Sequence, residues 1–326
     1  MPSMVPDRSR VWLALLTIYV VWGSTYLGIA VAIETMPPLL MGAIRFGIAG
    51  LLLLAWAWFR EGAAFRMPTP REWRDALIIG GLLFGGGNGL VGVGEQTVPS
   101  GIAAVLIALV AVWFAVFSRI GFGDRVPLVV GVGIAVGIGG VAILAWPVGV
   151  GVDRLDPFGV AVLIAAPMFW AAGSIFAARR AQLPSSASVT VAIQMLAGSA
   201  VLVVEGLVVG ELPRLTANVS LESLISVGYL VVFGSLVAFS AYSWLLRHAP
   251  LPLVGTYAFV NPVVAVFLGM VFLAEPLTPR MIIAAAVIVV GVALVILGRG
   301  RLRASRSTAP EGSTKTRLEA AGSDAS

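Results

Sequence analysis

The sequence predicts an all-α integral membrane protein, with ten transmembrane helices arranged as two inverted five-helix repeats. Three observations support this fold class. Of the 326 residues, 59% are hydrophobic and only 11% are charged, whereas a soluble domain carries about 25% charged residues. Ten apolar runs follow one another, each with close to the length that crosses a bilayer. Two of these runs share one pattern of residues, which indicates an internal repeat.

The repeat is clearest when residues 99–124 are compared with residues 250–275. Each stretch begins with a proline, continues through small residues and an apolar run, and closes with an acid. A weaker echo links the sequence AIR at 43–45 with AIQ at 192–194. Because each copy contains five helices, an odd number, the second copy must cross the membrane in the opposite sense, as in many secondary transporters.

The first apolar run, 11–33, is predicted to be a retained helix, because a signal peptide has a shorter apolar core of about 7 to 15 residues. Nine further helices are predicted at 38–59, 75–94, 100–118, 126–146, 157–178, 187–209, 223–246, 252–273 and 280–297. Short connections rich in proline, glycine and charge separate them. The expected organisation is a cytoplasmic N-terminus at 1–10, a first repeat at 11–146, a second repeat at 157–297, and a disordered cytoplasmic tail at 299–326.

Lys and Arg residues are distributed unequally between the two sides of the predicted membrane. If the N-terminus is cytoplasmic, that side holds 17 of the 21 basic residues, whereas the other side holds only Arg154, Arg214 and Arg280, and Arg45 lies inside the second helix. Cytoplasmic loops carry such an excess of basic residues. We therefore expect a multi-pass protein of the cytoplasmic (inner) membrane with both termini in the cytoplasm, and we attribute the basic charge to loop retention, not to nucleic-acid binding.

The composition also argues against several kinds of site. The chain has no cysteine, so neither disulfides nor thiolate metal sites can form. The single histidine, His248, makes neither a metal site nor a catalytic triad. Gly87, Gly89 and Gly92 match a dinucleotide fingerprint, but no strand precedes them, and no ATP-binding loop is present. We expect no enzyme activity, no cofactor and no metal.

Several motifs spread over both halves carry a resemblance to a known family. They are VWGSTY at 21–26, PP at 37–38, AIRF at 43–46, GNG at 87–89, VPSGIAA at 98–104 and YAFVNPVVA at 257–265, with closing acids at Asp124 and Glu275. Over about residues 12–297, the chain resembles the EamA family of the drug/metabolite transporter superfamily, and most closely its YedA-like branch. One departure is Ala111, which stands where family members often have a proline within the fourth helix.

The resemblance implies an inner-membrane carrier with ten helices and a central cavity between its halves. Such a carrier is expected to export small metabolites, such as amino acids or related solutes, or drugs. The first, third, fourth, sixth, eighth and ninth helices are expected to line the cavity. The alternative function is a passive channel or a non-transporting membrane sensor, although no ring of charges or carbonyl filter typical of a channel is visible in the sequence.

Polar and aromatic residues within the apolar runs are the candidates for substrate binding, because polar groups rarely face lipid. The candidates are Trp22, Thr25, Asn88, Trp170, Ser174, Tyr242, Tyr257 and Asn261. The alternatives are helix-to-helix hydrogen bonding for the hydroxyl and amide groups, and anchoring at the membrane interface for the aromatic rings. Trp22 and Trp170 lie near mid-helix in corresponding places of the two repeats, which favours a cavity.

Two charged residues are candidates for gating or coupling. Arg45 lies about 10 Å inside the second helix, at 1.5 Å per residue, where it either anchors helix ends or takes part in gating or substrate attraction. Glu95 ends the third helix and is either an ordinary solvated acid or a titratable gate. The expected partners are a small-molecule substrate and the lipid bilayer. A packing signal at Gly133 and Gly137 leaves a homodimer open.

Overall fold

The computed structural model describes residues 8–98, 100–123, 126–145, 156–215, 219–273, 279–280, 282–284, 286–291 and 293–295. Within these residues every regular element is helical, so the all-α prediction is confirmed. The predicted tail and the closing acids Asp124 and Glu275 lie outside the described residues, and the predicted tenth helix lies only partly within them.

The helices are numbered in chain order. They are α1 (Arg8–Ile33), α2 (Pro38–Glu61), α3 (Pro70–Gly94), α4 (Ser100–Ile107), α5 (Val110–Phe122), α6 (Leu128–Ala145), α7 (Pro157–Arg179), α8 (Ala187–Val209), α9 (Leu221–His248), α10 (Leu251–Val254) and α11 (Tyr257–Leu273). Short helical turns also occur at Gly62–Ala64 and Leu212–Leu215. Six helices, α1, α2, α3, α7, α8 and α9, are long and apolar enough to cross a membrane. The chain is therefore a multi-pass membrane protein.

Helix α3 begins five residues before the apolar run that predicted it. Thr69 and Glu72 form a capping box, in which the Thr69 side chain accepts from the backbone N–H of Glu72 and the Glu72 side chain accepts from that of Thr69. Pro70 follows at the first helical position, where its missing N–H costs nothing. Hydrophobicity finds the part of a helix inside the membrane, whereas capping determines where the helix starts.

The predicted fourth and ninth helices are each divided in two. The first divides into α4 and α5 at Ala108 and Leu109, without a proline, where backbone hydrogen bonds span three residues instead of four, such as Ala111 N–H to Ala108 O at 3.3 Å. The second divides into α10 and α11 at 255–256. Pro262 lies inside α11, beyond that break. The two breaks are therefore not caused by prolines at equivalent positions.

Helices of the two halves pack against each other. Helix α2 runs along α8, α1 lies against α9 and α11, and α3 lies against α7 and α8. Small residues make the α2–α8 approach close, because a Cβ atom added to Gly50 would lie 2.8 Å from Leu196. The Ser199 hydroxyl donates to the carbonyl of Ala43 at 2.7 Å. Small residues and hydroxyl bonds are the usual means of helix association in membranes.

Two helices contain a π-helical segment, at Gly81–Gly89 in α3 and at Leu230–Val237 in α9. Gly81 and Leu230 are separated by the same number of residues as Ala43 and Ala192, which form the weaker of the two sequence echoes. π-Helical segments are rare in proteins, and those that occur are often found at functional sites. Both segments carry groups that contact the residues predicted to bind substrate.

Candidate functional site

A pocket of about 520 Å³ lies where helices of both halves meet. Its wall contains six of the eight residues predicted to bind substrate, together with Arg45. These are Trp22, Thr25, Asn88, Trp170, Tyr257 and Asn261. The other two, Ser174 and Tyr242, are fully buried and are not part of the lining.

Aromatic rings form one wall of the pocket around Trp22. The Trp22 ring centroid lies 5.5 Å from that of Trp170, with the planes nearly perpendicular at 88°. Tyr257 makes a second edge-to-face contact with Trp22 at 5.0 Å, and Tyr242 packs on Trp22 at 4.9 Å. Aromatic pairs of this geometry contribute about 0.5–1.5 kcal/mol beyond their buried area. The wall is therefore a fixed, largely apolar surface of the pocket.

The polar ends of both tryptophans are bonded to the protein. The Trp22 indole N–H donates to the backbone carbonyl of Gly234 at 3.1 Å. The Trp170 indole N–H donates to the Tyr242 hydroxyl at 3.0 Å, and that hydroxyl also bonds to Ser174 at 2.5 Å. Tyr242 and Ser174 thus act behind the wall, where they orient Trp170.

Sequence reasoning did not select three residues that take part in the site. Tyr26 and Pro167 line the pocket, and Gly234 holds Trp22 from the π-helical segment of α9. Tyr26 is the last residue of the motif at 21–26, so the motif could have identified it as a site residue. Pro167 was visible as a proline inside an apolar run. Gly234 had no signal, because only the fold brings its carbonyl to Trp22.

Asn261 lies on the same side of the pocket and is 2% exposed. With its amide nitrogen directed toward the backbone, it donates to the carbonyl of Tyr257 at 2.9 Å and to that of Tyr19 at 3.3 Å. It also shares a side-chain hydrogen bond with Tyr26. Asn261 therefore joins α11 to α1 at the pocket, so it has both a structural role and a place in the wall.

Arg45 is 3% exposed and lies beside Asn88 in the pocket. Its Nε donates to the Ser235 hydroxyl at 2.9 Å, and its Nη1 is 3.5 Å from the Asn88 side-chain oxygen. Its guanidinium carbon lies 4.6 Å from the ring centroid of Phe46. These contacts join Arg45 of α2 to side chains of α9 and α3 within the bundle.

Glu95 follows the last residue of α3, and its carboxylate is directed inward. Both carboxylate oxygens are buried, and neither has a hydrogen-bond partner among the described residues. Burial raises the pKa of this carboxyl group well above its ordinary value. Glu95 does not line the pocket, but it acts electrostatically on Tyr26, which does. The structure thus differs from the expectation for an ordinary solvated loop acid.

No group of three or more His, Cys, Asp or Glu side chains that could hold a metal ion occurs in the described part of the chain. The pocket is instead built from aromatic rings, amides, hydroxyl groups and one guanidinium. These groups can bind a small solute by stacking, hydrogen bonding and charge.

Comparison with known proteins gives consistent matches. Residues 10–146 and 157–297 each match the model of the EamA-like transporter family. The chain is 41% identical over 298 residues to the uncharacterized inner membrane transporter YedA of Escherichia coli strain K12, covering 91% of this chain and 94% of that protein. It is 26% identical over 290 residues to the uncharacterized transporter YvbV of Bacillus subtilis strain 168, covering 88% and 92%. A solved crystal structure has the same fold, with a TM-score of 0.73 at 23% identity, covering 91% of this chain and 99% of the other.

Proposed function

The chain belongs to the EamA-like transporter family, and from this premise we propose that it is a secondary transporter that exports small metabolites or drugs across the cytoplasmic membrane. The observation that carries the proposal is the pocket at the contact between the two halves. Its aromatic wall is held in place by hydrogen bonds, one of which runs from Trp22 to the π-helical segment of α9. Transporters built from repeats bind substrate at the interface between the repeats.

The proposed architecture has ten transmembrane helices in two inverted five-helix repeats, with both termini in the cytoplasm. Transport would proceed by rocking of the two halves about the pocket. In this mechanism the aromatic wall and Asn88 contact the solute, Arg45 acts in gating or in attracting the solute, and Glu95 acts in gating or coupling. A homodimer also remains a proposal.

Counterflow into proteoliposomes tests the proposal. Vesicles loaded with pooled amino acids, nucleosides, sugars or cationic drugs should take up labelled solute from one pool faster than empty vesicles do, because a carrier exchanges bound solute. A channel would conduct without this trans-stimulation. Absence of stimulation by every pool, in vesicles where a known carrier works, would contradict the proposal and favour the channel or sensor alternative.

Two substitutions test the site itself. Trp170→Ala and Asn261→Ala should each lower counterflow several-fold, because one removes part of the wall and the other removes the amide that joins α1 to α11. The amount of protein inserted into the membrane should stay unchanged, as measured by immunoblot of the membrane fraction. Equal exchange rates at equal amounts would exclude these residues from the site.

A further inference from the structure

The pocket contains a buried positive charge, and no acid among the described residues forms an ion pair with it. Arg45 is the one charged residue in the lining of this pocket within the described part of the chain. No carboxylate of the described residues lies within ion-pair distance of Arg45. Its neighbours are the Ser235 hydroxyl, the Asn88 amide and the Phe46 ring, all of them neutral. A buried cation without a counter-charge is costly.

The surrounding backbone leaves room for this guanidinium. A Cβ atom added to Gly234 would lie 2.7 Å from Nη2 of Arg45, so any side chain there would collide with it. Arg45 and Asn88 also line a second, smaller cavity of about 250 Å³ next to the first. The two cavities therefore meet at the charged group. The carbonyl of Gly234 meanwhile holds Trp22, so the charge and the aromatic wall are positioned by the same residue.

Resting on the proposed function, we infer that the transported solute is an organic anion, whose carboxylate pairs with Arg45 while its aromatic or apolar body lies against Trp22, Trp170 and Tyr257. An arginine fork matches a carboxylate in geometry as well as in charge. Aromatic walls alone would also suit a cationic drug, but a guanidinium in the same pocket repels cations. Glu95, which acts electrostatically on Tyr26, lies outside the lining.

Matched sets of solutes test the sign of the charge. Each set has one body, phenylpropyl, indolylpropyl or hexyl, ending in a carboxylate, its primary amide or the corresponding amine. In counterflow, the native protein should favour at least one carboxylate over its amide by about 10-fold or more, because hydrogen bonds to charged groups are worth about 1.5–3 kcal/mol. The amine should be exchanged least.

Substitution of Arg45 then tests the assignment to this residue. Arg45→Gln should reduce the preference for the carboxylate to within about threefold, whereas Arg45→Lys should keep the preference with weaker binding. Glutamine is suitable because Gln194, its counterpart in the second repeat, is buried at 3% exposure. Gly234→Ala, which displaces the guanidinium without removing it, should also lower the preference. Arg119→Gln, an exposed arginine on α5, is the charge-matched control and should change nothing.

Thermal stabilisation of the purified protein by the same solutes gives a readout that does not depend on transport. Equal exchange of amide and carboxylate, a preference for the amine, or an unchanged preference in Arg45→Gln would overturn the inference. If the protein exchanges none of these matched solutes but does exchange a solute from the counterflow pools, the charge of that solute tests the inference. A neutral or cationic solute would contradict it. Arg45-dependent stabilisation by carboxylates without any exchange would support an anion-binding site at Arg45 but reject transport. The absence of both stabilisation and exchange would reject the anion site and the carrier together.

Discussion

At the scale of single residues, Tyr242 shows how a buried side chain can govern a pocket that it does not line. Its hydroxyl accepts from Trp170 and bonds to Ser174, so it fixes the ring that a solute would contact. Tyr242→Phe should lower substrate affinity by about 5- to 10-fold through the loss of about 1 kcal/mol of hydrogen bonding. The Michaelis constant of counterflow measures this effect.

Tyr19→Phe is the matched control for Tyr242→Phe. Tyr19 also bonds through its hydroxyl, to Thr256, but it is not in the pocket lining. The control should lower thermal stability by a similar amount and leave the Michaelis constant unchanged. A similar loss of affinity in both variants would mean that Tyr242 acts only through overall stability.

The burial of Glu95 predicts that the stability of the folded protein depends on pH. Burial raises its pKa in the folded state, so the folded protein binds a proton more tightly than the unfolded chain. This contribution to stability is fully present below the ordinary pKa of about 4.3 and is lost as the pH rises through the higher folded value. The melting temperature in detergent should therefore fall as the pH rises above about 4.3, and Glu95→Gln should flatten the fall. An equal fall in both proteins would assign the effect to other groups.

At the scale of elements, the glycines of the π-helical segment in α3 have different surroundings. A Cβ atom added to Gly87 would lie 2.9 Å from the Trp170 ring, whereas one added to Gly81 would be 3.8 Å from Val201, an ordinary contact. The segment therefore requires glycine at position 87, next to Trp170, and tolerates a methyl group at position 81. The aromatic wall depends on this difference.

Gly87→Ala should displace Trp170 and lower counterflow by about 10-fold, with a loss of stability of about 1–3 kcal/mol from overpacking. Gly81→Ala, in the same π-helical segment, should preserve both. Counterflow and melting temperature measured side by side check the pair. Loss of exchange in both variants would show that the segment tolerates no side chain at all, whatever the position.

At the scale of the whole molecule, the proposed orientation can be tested directly because the native chain has no cysteine. Ala63 and Gln96 are exposed residues beyond opposite ends of α3. Ala63→Cys should react with a membrane-impermeant maleimide only after the cells are permeabilised, whereas Gln96→Cys should react in intact cells. The reverse pattern would mean that the basic residues do not set the orientation in the expected way.

The sequence by itself determined that the chain is an all-α multi-pass membrane protein, because the thickness of the bilayer imposes a run of about 20 apolar residues on each span. It also located six of the pocket residues, since polar and aromatic groups at mid-helix stand out against an apolar background. It could not separate pocket-lining from supporting residues, as Tyr242 and Ser174 show. A supporting residue such as Tyr242 and a pocket-lining residue such as Tyr257 can be of the same residue type and can both lie within an apolar helix, so the sequence does not distinguish them.

Only the tertiary structure decided which face of each helix is inward. In α1, Leu13 and Leu16 are exposed while Leu15 and Ile18 are buried, so hydrophobicity does not mark the packed face. The reason is that lipid is as apolar as the protein interior, and helix association depends on small residues and specific hydrogen bonds instead. The hydrogen bond from Trp22 to the Gly234 carbonyl and the contact of Arg45 with Ser235 join residues about 190 to 210 positions apart. No local sequence pattern indicates contacts over such a distance.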